Sequence, residues 1–149
     1  MKKNVAPLIA LTVGCTVAAA IFGFGSEVFS FRSAYAGAGR EPLILLTRTI
    51  VFITLAVILV FKGGWPGVAA ALVMTVGGTL VEWALFPFSF EFAAIEDPAG
   101  YREEYGESVT RPTYGAWALF DIIGVGIAAI LAQGLKLMAH VDPRRTPDE

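Results

Sequence analysis

Charge is scarce in this sequence. Asp, Glu, Lys and Arg make up 16% of its 149 residues, against about a quarter in soluble domains, while 56% are apolar. With a mean hydropathy of +0.67, this mixture excludes an ordinary water-soluble globular domain. Cysteine and histidine are almost missing. The lone Cys15 excludes an internal disulfide, and the lone His140 leaves no bis-histidine haem and no Cys/His metal site. Neither a cofactor nor a metal is expected. No nucleophile and base stand at useful spacing and no glycine-rich phosphate loop follows a strand, so no catalytic residue is assigned. The formal net charge of −2 carries no basic excess, and no nucleic-acid partner is expected.

What the chain has instead is long apolar runs. A bilayer core about 30 Å thick needs roughly 20 mostly apolar residues in a helix rising 1.5 Å per residue. Four segments meet that test: about 5–24, 42–61, 65–86 and 113–137. Lipid offers the backbone no hydrogen-bond partner, so each run is expected to be a helix despite its Val and Ile content. The fold class is therefore all-α, an integral membrane four-helix bundle in one transmembrane domain over 1–149. A polar tail is expected at 140–149. Two competing readings of the first run are a signal peptide, with Lys2 and Lys3 before it and Ala34-Tyr35-Ala36 after it, and a lipoprotein box at Leu11-Thr12-Val13-Gly14-Cys15. The run is too long and the Ala-x-Ala site too distant for the first. Apolar sequence continuing through Cys15 opposes the second.

An even number of spans puts both termini on one side. Lys2, Lys3, Lys62 and Lys136, joined by Arg144 and Arg145, share that side, which the positive-inside rule makes the cytoplasm of a cell-membrane protein. The opposite side receives an acidic loop over about 88–112, with Glu91, Glu96, Asp97, Glu103, Glu104 and Glu107. One or two helical turns capped near Asp97 are expected inside it. Trp65, Trp83 and Trp117 are placed as an interfacial aromatic belt. Phe86, Phe88, Phe90 and Phe92 alternate around Pro87, which favours an extended stretch along the headgroup boundary with its rings on one face. Phe29 and Phe31 are expected to behave similarly beyond the first helix.

Val5-Ala6 through Thr12-Val13-Gly14-Cys15-Thr16 matches Val68-Ala69 through Thr75-Val76-Gly77-Gly78-Thr79 without a gap, and Thr47-Arg48 falls on Thr110-Arg111 at the same offset. The match suggests two tandem two-helix hairpin repeats, with the narrow residue repertoire of membrane helices as the competing explanation. Gly14, Gly77, Gly78, Gly124 and Gly126 supply small faces for close helix approach, within one bundle or between partners.

Three charges fall inside the runs: Arg48, Glu82 and Asp121. Counting along the helices puts them at comparable depth, where an unpaired carboxylate is costly and one guanidinium can bridge both acids. Either this intramembrane polar cluster clasps the helices in register, or it accepts a proton, a cation or a polar ligand group. Two function classes lead. One is a non-catalytic accessory subunit of a larger membrane complex or transporter, and the other a small oligomeric transporter coupling proton or cation movement through Glu82 and Asp121. The expected partners are the lipid bilayer and another membrane protein or further copies of the chain. A third class is an enzyme. Thr110-Arg111-Pro112-Thr113-Tyr114 resembles the Arg-His-Pro-x-Tyr signature of membrane methyltransferases, which would imply an embedded methyltransferase-like activity, but the histidine is absent.

Overall fold

The computed structural model describes residues 5–93, 96–101 and 111–140. It is all-helical over these residues, in the order α1 (Ala6–Tyr35), α2 (Glu41–Gly63), α3 (Trp65–Phe92), α4 (Pro98–Tyr101) and α5 (Arg111–His140). Helices α1, α2, α3 and α5 are each long and apolar enough to cross a membrane, so the chain is a multi-pass membrane protein. All four open on a proline in the first turn, namely Pro7, Pro42, Pro66 and Pro112. There the missing N–H would have had no helical partner, and the fixed φ already suits the helix.

The helices are longer than their apolar runs, and two of the differences correct the sequence reading. Helix α1 continues past Phe24 to Tyr35, so Phe29 and Phe31 lie within it rather than beyond its end. Helix α3 continues through Pro87 to Phe92, so the alternating phenylalanines are helical and scattered around the axis. Phe86 is buried edge-to-face against Phe31 at 5.9 Å, Phe92 meets Phe24 at 5.7 Å and Phe88 faces outward, while the Phe90 side chain lies outside the described residues. Membrane helices accept proline because the surrounding structure and hydroxyl side chains take up the disturbed bonds. Close to Pro87 the Ser89 hydroxyl donates to the Phe86 carbonyl at 2.6 Å.

These extensions shorten the acidic connection at both ends. Within it Asp97 accepts the Gly100 N–H at 3.0 Å and caps the single turn α4, while 102–110 and the tail at 141–149 lie outside the described residues.

Helix α2 turns directly into α3 at Gly64, whose φ of +64° a side chain would strain. Three residues on, a side chain at Gly67 would strike the Leu59 carbonyl, so the hairpin closes backbone to backbone. Lys136 crosses from α5 to donate to the Phe61 carbonyl at 2.7 Å, satisfying one of the carbonyls left open at the end of α2.

Helices α2 and α3 are central. Each packs against α1, against α5 and against the other, whereas α1 and α5 share no comparable interface. A twofold relation between hairpins would copy the α2–α3 interface between α1 and α5, and the helices are not arranged in that way. The larger apolar core gathers Cys15, Ala19, Phe52, Ala56, Leu59, Met74, Val125 and Ala129 in the half nearer Gly64. A smaller cluster of Phe31, Phe86 and Ala93, with Val28 against it, occupies the opposite half.

Candidate functional site

Between the two apolar clusters lies a polar layer. At 1.5 Å per residue Arg48 stands about 24 Å and Glu82 about 27 Å from Gly64, and Asp121 about 22 Å from Lys136, which bonds the end of α2, so three different helices deliver them to one level. The charges read from the sequence do meet. The Arg48 guanidinium donates through Nη2 to Glu82 Oε2 at 2.6 Å and through Nε to Glu82 Oε1 at 3.3 Å. Its other arm, Nη1, lies 3.0 Å from Asp121 Oδ2 as an ion pair whose angle falls short of a hydrogen bond. The planar fork of arginine permits this division between two acids, which a lysine ammonium does not reproduce. The ring of Phe52, one turn along α2, lies 5.2 Å below the guanidinium carbon and supplies a cation–π contact.

The layer is sealed. Arg48 is 2% exposed, Glu82 1% and Asp121 0%. Most hydroxyls in the bundle are hidden by donating to the carbonyl four residues earlier, as Thr12, Thr16 and Thr75 do. Thr49 departs from that pattern. It follows Arg48 on α2, points toward α5, and sends its one proton to Asp121 Oδ1 at 2.5 Å in preference to the Leu45 carbonyl at 3.3 Å. Asp121 is thus held on both oxygens from α2.

Helix α1 contributes two residues that the sequence reading did not select. A Cβ on Gly23 would fall on the Glu82 carboxyl group, so the bare backbone at Gly23 is the seat into which that side chain is pressed. One turn further along the same face stands Glu27. It is 6% exposed, lies within Coulombic reach of Glu82 and Arg48, and neither of its carboxylate oxygens has a hydrogen-bond partner. The layer therefore holds one guanidinium against three carboxylates. A signal for Glu27 existed in the sequence, since apolar residues continue past it at Val28, Phe29 and Phe31. Ending the first run at Phe24 treated the first charge as the membrane boundary. Among the described residues no three His, Cys, Asp or Glu side chains converge closely enough to hold a metal ion.

The glycines selected for packing divide. Gly78 lies against Ala19 and Phe52, and Gly77 against Thr16, both inside the bundle. Gly126 only approaches Leu72, while Gly14 and Gly124 have open space where a side chain would stand, which corrects any role for those two within one chain. Trp65 and Trp83 are exposed on the outside of α3, and Trp117 stacks edge-to-face on Phe120 at 5.7 Å on α5. Comparison with protein-family models, with curated proteins and with solved structures gives no match. The functional reading therefore rests on the layer itself.

Proposed function

We propose that the protein is a non-catalytic accessory subunit of a larger membrane assembly, a helical module whose bundle is fastened from within by the Arg48 layer. The observation that carries this reading is the seal. Charged side chains exposed 2% or less, with apolar clusters on both sides, form a clasp between helices rather than the wall of a water-filled path. Two outer features supply support for partner helices. Gly14 and Gly124 leave room for a close helix approach, and an apolar groove of about 490 Å³ runs between α1 and α3 along Thr16, Ala20, Phe24, Gly25, Val81 and Leu85.

Purification of the full chain from its native membrane in mild detergent, followed by mass spectrometry, checks the reading. A stoichiometric, larger membrane partner is the expected result. Recovery of the chain alone or as a homo-oligomer would transfer the weight to a small transporter, a reading that Glu27 favours because a clasp of three charges leaves it unexplained.

The same reading places the protein in the cell membrane with both termini in the cytoplasm, on the strength of Lys62 and Lys136 beside the Gly64 turn together with the N-terminal lysines. Reporter fusions at the two ends are expected to agree and to report the cytoplasmic side. Agreement on the opposite side would reverse the orientation, and disagreement would contradict four spans.

A further inference from the structure

We propose that Glu27 is a proton-binding site of the bundle, its carboxyl group held in the neutral acid form inside the sealed layer. The inference stands on how the groups around it are already committed. Among the described residues helix α1 packs chiefly on α2 and α3, and the charged groups these present to Glu27 are Arg48 and Glu82. Arg48 is engaged on both arms, by Glu82 at 2.6 Å and by Asp121 of α5 at 3.0 Å. Thr49, next along α2, points toward α5 and gives its proton to Asp121. Toward the end of the bundle away from Gly64, Phe31 follows Glu27 by one turn and closes against Phe86, with Val28 beside them. Among the described residues neither Glu27 oxygen receives a hydrogen bond, and the one guanidinium within reach is already shared by two carboxylates. Among the described residues no three His, Cys, Asp or Glu side chains converge on a metal ion, and a lone carboxyl group is neutralised by one proton taken from water and bonded to one of its oxygens.

A consequence follows for the layer. Release of that proton to water would leave three carboxylates competing for one guanidinium, and the Arg48–Glu82 pair would weaken as Glu27 drew on it. Proton occupancy on α1 is thereby coupled to how α2, α3 and α5 are held together, whether or not a partner subunit binds.

Infrared spectroscopy of the full chain in liposomes tests the assignment. The carbonyl stretch of a protonated, buried carboxyl group is expected at neutral pH, moving when glutamate is isotopically labelled at its side-chain carboxyl. It should vanish in Glu27→Gln. Absence of any labelled-glutamate band at neutral pH overturns the proposal, as does a band that survives Glu27→Gln. Should Glu27→Gln fail to insert, Glu27→Asp, which keeps an acid at the position, decides the matter: the band is expected to remain but to lose its response to labelled glutamate, and a band that still responds overturns the proposal.

Discussion

Arg48→Ala is expected to destabilise the bundle by about 3 to 5 kcal/mol, the usual cost of removing one partner from a buried ion pair. The loss arises less from the attraction removed than from what remains. Glu82 and Asp121, 1% and 0% exposed, would be left without a counter-ion in surroundings that water does not reach, where a carboxylate either stays charged at high cost or gives up that charge by taking a proton. Neutralising an acid at the same time should therefore return part of the loss, so that Arg48→Ala with Glu82→Gln is more stable than Arg48→Ala alone. That departure from additivity, read in a double-mutant cycle by unfolding in detergent micelles or bicelles, is the signature of a coupled cluster. Arg48→Lys should fall between, since an ammonium keeps the charge but cannot span Glu82 and Asp121 with a rigid fork. Simple additivity, or a cost near zero for each single change, would mean that the three charges reach the headgroups independently.

Gly23→Ala should be nearly as damaging although it adds a single methyl group to a helix. The new Cβ would occupy the place of the Glu82 carboxyl, so either α1 withdraws from α3 or Glu82 leaves Arg48. Overpacking alone typically costs about 1 to 3 kcal/mol, and displacement of Glu82 adds part of the ion-pair loss. The measurement has internal controls. Gly14→Ala and Gly25→Ala, on the same helix with open space at the new Cβ, should be neutral or slightly stabilising through helix propensity, worth up to about 1 kcal/mol. In a Glu82→Ala background, with the seat empty, the cost of Gly23→Ala should largely disappear. If all three glycines respond alike, the effect belongs to glycine in a helix and not to the seat.

The three charges could be read in advance because lipid punishes an unpaired charge wherever the helix happens to turn. Arg48, Glu82 and Asp121 therefore had to find one another or water, and counting residues placed them at one depth. Glu27 obeys the same physics but lay beyond a boundary drawn at the first charge. The phenylalanines from Phe86 to Phe92 misled for a related reason, since alternation in sequence carries information about an extended strand only where one face is wet. In a bilayer both the lipid and the core are apolar, and the backbone's need for internal hydrogen bonds decides in favour of the helix even through Pro87. Gly14 and Gly77, matched in the sequence, illustrate the remaining gap, for one faces open space and the other packs on Thr16.

By itself, then, the sequence determined the number of spans, their helical state and the level of the polar layer, because hydropathy, backbone bonding and rise per residue are properties of one segment at a time. The tertiary structure decided which face of each helix turns inward. Helices α1 and α3 are apolar nearly all round, so nothing along the chain marks their rotation. It is set instead by contacts between helices, namely Gly23 receiving Glu82, Gly67 meeting the backbone at Leu59, and Thr49 reaching Asp121. Those contacts brought Glu27 to the layer without a partner, since rotation and the allotment of Arg48's two arms exist only once four helices are packed together.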